Sequence, residues 1–212
     1  MNRIIKLSGL FLFLLAGCFS VSRIAVKKLP DIPREKQILI AVVDFENKTG
    51  EPENQVLTEG IYGKIADELT ETRRFRLIER KRLESVLEEM NLQMTGLVEP
   101  SKAKEAAGLL GIDALLFGEL STVKYEKNKQ TIFVLWTEGQ KTEITLNARL
   151  VDVKTGEILA TTQAASFVKQ RNWVAFWFAR LGRKMEKASV LETGIELASR
   201  KAAQDLAEKT YR

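Results

Sequence analysis

One thiol and no imidazole bound the chemistry open to this chain: Cys18 is its single cysteine, and histidine is absent from all 212 residues. A thiolate can attack an electrophile or take a lipid through a thioether, whereas a cysteine in apolar packing does neither. Without histidine the chain lacks the commonest general base and the commonest zinc ligand. One cysteine also rules out an internal disulfide. A second polar group stands in "AVVDFEN", where Asp44, Glu46 and Asn47 close an apolar run, the place where open α/β sheets often hold ligands. No glycine-rich phosphate loop follows, so turn capping is the plainer role for these three. With no serine elbow and no paired-carboxylate motif, the chain is not expected to be an enzyme, and neither a cofactor nor a metal is expected.

The residues around Cys18 decide between packing and reaction. Asn2, Arg3 and Lys6 form a short polar, positive start, and Leu10–Leu15 an apolar stretch; that stretch is well short of the ~20 residues a spanning helix needs and fits a secretory signal. Ala16 and Gly17 then supply the small-residue context that a signal peptidase needs at its cut, and Leu15-Ala16-Gly17-Cys18 resembles the bacterial lipobox, with Leu15, Ala16 and Gly17 as the peptidase's recognition residues. In that motif the cysteine becomes the new N-terminus and carries the lipid. Residues 1–17 therefore read as a lipoprotein signal peptide and Cys18 as the lipid-attachment site. Phe19 and Ser20, with no aspartate after the lipid, resemble signals for outer-membrane retention.

Residues 18–36 carry two prolines and mixed charges without a sustained period, and read as a lipidated tether. The formal net charge of +5 is mild and evenly spread, and part of it sits in the leader, so nucleic acid is not an expected partner. Residues 37–212 are enough for one domain. "QILIAVVDFEN" is a continuous Ile- and Val-rich run, suited to a strand buried on both faces. Leu57, Ile61, Ile65 and Leu69 recur every four residues as one face of a helix, and "FRLIER" returns as a strand. Leu83, Val86, Leu87 and Met90 mark a second helix face; another helix starts at Ser101 and stops at Gly111. In "ERKRLESVLEEM" the charges read as a solvated helix face with i to i+4 pairs. "DALLFGELSTVKY" is a strand, and "TEITLNARLVDV" alternates Ile144, Leu146, Ala148 and Leu150 with polar residues, one dry face against one wet face. "DVKTGEIL" supplies a hairpin turn at Gly156, residues 157–168 the returning strand, and residues 188–211 a long helix with small inward residues. The fold class is α/β, a mixed sheet flanked by helices with a long C-terminal helix.

This order of elements, with "AVVDFENKTG", "FRLIERKRLESVLEE", "TGLVEP", "LLGIDALLFGELSTVKYE", "LNARLVDVKTGEIL" and "LETGIEL", resembles the CsgG family, the lipoproteins of curli production and export. The resemblance implies a periplasmic domain like an anticodon-binding domain, anchored by its lipid at the periplasmic face of the outer membrane. In curli exporters such domains form a ring, and each subunit adds two β-hairpins to a shared barrel. The implied function is a non-enzymatic part in curli-like assembly or secretion, exerted through homo-oligomerisation and contact with an envelope or exported protein. A lipoprotein that activates or scaffolds a cell-wall synthase is the alternative.

Full-length transmembrane hairpins are not evident. A spanning strand takes ~9–11 residues with alternate positions apolar, and "EKNKQTIFVLWTEGQKTE" has one six-residue apolar run, Thr131–Trp136. The second candidate, at about 169–187, shows neither alternation nor a central turn. Both fall short unless flanking strands extend them. Within the second, Trp173, Phe176, Trp177 and Phe178 stand beside Arg180, Arg183 and Lys184, the composition of a helix in a headgroup layer. These residues are expected to contact a membrane or another subunit, with packing on the domain's own sheet as the alternative.

Cys18→Ala should abolish incorporation of labelled fatty acid and leave a soluble or unprocessed precursor. Label retained in the alanine variant would refute lipidation at this sulfur.

Overall fold

The computed structural model describes residues 29–89, 105, 107–132, 135–175, 179–181 and 186–211. Strand β1 (Ile38–Val42) and the two-residue β2 (Glu46–Asn47) precede helix α1 (Gln55–Glu71); β3 (Phe75–Leu77) and α2 (Arg80–Glu89) follow. Three long strands come next, β4 (Ala114–Ile132), β5 (Leu135–Asp152) and β6 (Ile158–Ala175), then β7 (Ala179–Leu181) and α3 (Lys187–Thr210). The sheet runs β3-β1-β4-β5-β6-β7 with β2 beside β4. β1 is parallel to β3 and β4, and the β4 to β7 series is antiparallel. The mixed α/β sheet with flanking helices and a long C-terminal helix is thus present.

One face of the sheet packs on α1 and α3. Ile40, Val42, Leu116, Leu120, Ile144, Leu146 and Leu150 meet Ile61, Ile65 and Leu69 of α1 and Ile195, Ala198, Ala202 and Leu206 of α3 in one buried cluster. The small α3 residues allow close approach. Gly194 sets the limit: a Cβ there would lie 2.8 Å from Ile144 Cδ1. Its carbonyl accepts a 2.7 Å hydrogen bond from the buried Ser166 hydroxyl. On the other face Ala41, Val43 and Leu115 pack with Leu83 of α2 and Ala107. The alternation read in "TEITLNARLVDV" holds for its apolar half, but Thr145 on the face expected to be wet is also buried.

Three further contacts close this base. Arg200 Nε of α3 donates to both carboxylate oxygens of Glu68 in α1, at 3.0 and 3.2 Å. Tyr211, just past α3, accepts a 3.0 Å bond from the Ile38 amide and donates to the Arg74 carbonyl, so the end of the chain ties down the starts of β1 and β3. Leu29 packs on the core and Asp31 pairs with Arg73, placing the incoming chain at this same end. The expected turn residues keep their roles: Gly111 and Gly156 have φ of 65° and 78°, and the Thr155 amide donates to Asp152 Oδ1 at 2.7 Å.

The strands outrun their sequence-based limits. β4 and β5 pair without a break from Tyr125–Thr142 to Ile132–Leu135, and β5 and β6 pair out to Leu135–Ala175. Flanking strands do extend both candidate hairpin regions. The described part of the aromatic segment, 169–175 and 179–181, is β-strand, correcting the expected helix. β5 offers an edge already in register, and Val and Trp suit a pleated surface, so pairing overrides the helical reading of composition.

Gly118 provides a test of the base. A Cβ at this position would lie 2.2 Å from Phe45 Cε1 and Cζ, and Phe45 is itself buried. Gly118→Ala should destabilise the domain by about 1–3 kcal/mol, the usual range for overpacking. Adding Phe45→Leu should recover part of the loss. Equal melting midpoints for the parent and Gly118→Ala would show that the ring does not need this space.

Candidate functional site

Where β1 ends, the parallel strands leave a polar junction. Arg80, the first residue of α2, donates from Nη2 to Asp44 Oδ2 at 3.0 Å and from Nε to Glu84 Oε1 at 2.6 Å. Its guanidinium lies 4.7 Å from the centroid of the Tyr62 ring in α1. The i to i+4 pair expected on this helix is therefore Arg80–Glu84, with Asp44 as a third member. Asp44 Oδ1 is buried and accepts no hydrogen bond among the described residues. Burial pushes the Asp44 carboxyl above its ordinary range even though Arg80 pulls the other way, and Glu84 and Glu59 add to the rise. A shallow cavity of about 270 Å³ opens beside it, lined by Glu46, Glu119, Asn147 and Arg149 among others.

Asn47 does cap the turn: its Oδ1 accepts from the Thr49 amide at 3.0 Å and its Nδ2 donates to the Glu51 carbonyl at 2.8 Å. Glu46 pairs with Lys48. The three polar residues of "DFEN" thus split between a turn and an ion-paired junction that ties β1, α1 and α2 together. Among the described residues no cluster of His, Cys, Asp and Glu could hold a metal ion.

The larger feature is the ladder that β4, β5 and β6 form beyond the helices. Lys187, the first residue of α3, has its Nζ 5.4 Å from the Tyr125 ring centroid, and past that level no described helix covers the strands. β4 is paired by β1 and β2 only as far as Leu120, so among the described strands its outer edge is open from Thr122 onward. β6 meets β7 only at Trp173–Ala175, leaving its outer edge open before that. The polar stretch Glu126–Gln130 is exposed, as are Lys141 and Lys169.

Of the residues singled out from sequence, Trp173 lies in β6 opposite Thr137 and Leu181, and Arg180 lies in β7 opposite Val174. Leu15, Ala16, Gly17, Cys18, Phe176, Trp177, Phe178, Arg183 and Lys184 fall outside the described residues. Sequence reading did not join the two apolar runs 131–136 and 173–181. Their described residues pair, Trp136 with Val174 and Thr137 with Trp173, a relation visible only once the register is known.

Residues 23–210 match the family described as Curli production assembly/transport component CsgG. No curated protein matches the chain. Among solved structures it is similar to lipoprotein GNA1162 from Neisseria meningitidis, at 17% identity and a TM-score of 0.45 over 72% of this chain and 90% of that one. It is similar also to the LpoB C-terminal domain from Salmonella enterica, at 17% identity and a TM-score of 0.43, covering 62% and 83% respectively. The PelC dodecamer from Paraburkholderia phytofirmans shows 16% identity and a TM-score of 0.37, with 82% and 93% covered.

The raised Asp44 carboxyl has a consequence for pH dependence. A group whose folded pKa lies above its unfolded value contributes stability that is present below the unfolded value and lost as pH rises through the folded one. The stability of the parent relative to Asp44→Asn should therefore fall as pH increases from ~4 toward neutrality. Urea midpoints of both forms across that interval would measure it; a constant or rising difference would overturn the assignment.

Proposed function

The chain belongs to the family of curli production assembly/transport component CsgG, and on that premise we propose that it is an envelope lipoprotein anchored through Cys18 at the periplasmic face of the outer membrane. It works without catalysis, by associating with further copies of itself and by presenting the resulting assembly to an envelope or exported protein. The observation that supports this reading is the pair of open edges on one ladder, β4 from Thr122 and β6 up to Asn172. Unpaired edges of that length are templates for another strand. Because they are different strands on opposite sides of the ladder, one copy's β4 edge can meet another copy's β6 edge. A contact of that head-to-tail kind closes into a ring when its rotation permits.

The role of β4 in association can be tested on the full chain extracted in mild detergent. Light scattering should give a mass several times that of one copy, and amides of β4 from Thr122 to Gln130 should exchange more slowly with solvent as protein concentration rises. A monomer at every concentration, with exchange there independent of concentration, would reject association and favour a lipoprotein that acts singly on a cell-wall synthase.

A further inference from the structure

Among the described residues Arg74 is the one charged side chain that is buried, with 7% of its surface exposed. An arginine is almost never buried without a partner, because its guanidinium loses water that only acceptors or an anion can replace. Arg74 shows the loss without the replacement. Its Nε is buried and meets no acceptor among the described residues, and the ion pair at this place joins Asp31 to the neighbouring Arg73 at 3.7 Å. Asp113, just before β4, accepts instead from the Leu39 amide at 2.8 Å.

The contact that Arg74 does make is with the Tyr211 ring, 5.0 Å from the guanidinium carbon to the centroid. A ring face attracts the cation and holds the plane of its fork, but it is no substitute for an oxygen acceptor. The Tyr211 hydroxyl is already engaged by the Ile38 amide and the Arg74 carbonyl. Helices α1 and α3 both end here, at Glu71 and Thr210, and their last carbonyls ease the cost of a positive charge; they bring no acceptor to Nε. The preceding residue adds a second sign. Arg73 has a φ of 53°, a conformation that follows a helix C-terminus and that glycine fills without a penalty. The position holds an exposed arginine instead. Arg76 Nε donates to the Gln37 carbonyl at 3.3 Å and the Gln37 side chain to the Arg73 carbonyl at 3.0 Å, so the stretch that carries three arginines within four residues is tied to the chain just before β1.

From these observations we infer that the start of β3 is a phosphate site, in which the Arg74 guanidinium takes the anion while Arg73 and Arg76 add positive field beside it. The planar fork of arginine matches two oxygens of one phosphate group. A bound anion supplies the acceptors that the fold withholds from Arg74. The choice of phosphate rests on the anchoring proposed above: between Cys18 and Asp31 the backbone reaches at most about 45 Å, so lipid headgroups are the anions kept within range of this end of the domain. Free phosphate presents the same group. The unbalanced charge itself does not depend on that reading, nor on association between copies.

The site is tested on the full chain in a nonionic detergent. Inorganic phosphate at ~20 mM should raise the melting midpoint by about 2–4 °C over chloride of equal ionic strength, as a ligand several-fold above its dissociation constant does. In the nitrogen NMR spectrum the Arg74 Nε–H resonance should shift with phosphate and stay unmoved by chloride. Arg74→Met keeps the stem and removes the unbalanced charge; in chloride it should melt within about 2 °C of the parent or above it, and in phosphate it should show no rise. Arg73→Gly suits the backbone, so it should keep the midpoint and bind phosphate several-fold more weakly by calorimetry. Mixed micelles with phosphatidylglycerol separate the two sources: an Arg74 resonance that shifts at a lower concentration of that lipid than of inorganic phosphate assigns the headgroup, and the reverse order assigns free phosphate. A parent indifferent to both, or an Arg74→Met that retains the rise, would overturn the site. So would an Arg74→Met melting far below the parent in chloride, since the fold would then already balance the charge, and an equal response to acetate would overturn the choice of phosphate. Failure of the anchoring reading would show separately, as fatty-acid label retained by Cys18→Ala, and leaves the inorganic phosphate result standing.

Discussion

Beyond the level of Tyr125, Thr142 and Val168 the ladder has no described helix over it and little apolar packing, so its order rests on backbone hydrogen bonds between adjacent strands. In an antiparallel pair those bonds hold register residue by residue, and a slip of one position would turn every side chain to the opposite face. Where one face is buried, hydrophobic packing forbids that slip. In the exposed part of the ladder no such penalty operates, and the register is inherited from the base. Ile144, Leu146 and Leu150 fix β5 against β4 and β6 inside the core, and the pairing then continues outward without interruption to Leu135. The pairing of Ile132 with Leu135 and of Leu135 with Ala175 is a consequence of packing about 30 Å away along β5.

The base is built to hold that register. Gly118 makes room for the Phe45 ring, and Gly194 lets α3 settle onto β5. Ser166 donates to the Gly194 carbonyl across the same contact. Arg200 joins α3 to α1 through Glu68, and Tyr211 joins the end of the chain to β1 and β3. The Arg80 junction belongs with these contacts. It collects Asp44, Glu84 and Tyr62 where three elements meet, and its ion pairs are about one-third exposed, which keeps their energetic worth modest. Outside this base the described shaft of the ladder exposes polar residues, Glu126–Gln130 with Lys141 and Lys169.

Much of the base was legible in the sequence because buried elements carry a periodic signal. The four-residue spacing of Leu57, Ile61, Ile65 and Leu69, the alternation from Ile144 to Leu150, the stop at Gly111 and the turn at Gly156 each follow from a local rule. The resemblance to the CsgG family rested on those same elements, and the match over residues 23–210 agrees with it. The polar residues after β1 were legible in part: Asn47 caps a turn as its type suggests, whereas the partner of Asp44 is Arg80, 36 residues away, and no local pattern pairs them.

By itself the sequence determined the apolar stretch Leu10–Leu15 ahead of a single cysteine, the lack of imidazole in these 212 residues, and the identity of most core-facing positions, since these depend on composition and short-range spacing. Only the tertiary structure decided how far β4, β5 and β6 extend. A polar strand such as Glu126–Gln130 has no buried face and so no period to read; it is strand because its neighbours present backbone donors and acceptors in register. The same pairing decided that Trp173 and Val174 lie in a strand and that they stand beside Thr137 and Trp136. Hydrogen-bonded register is a relation between distant segments, and no single segment carries it.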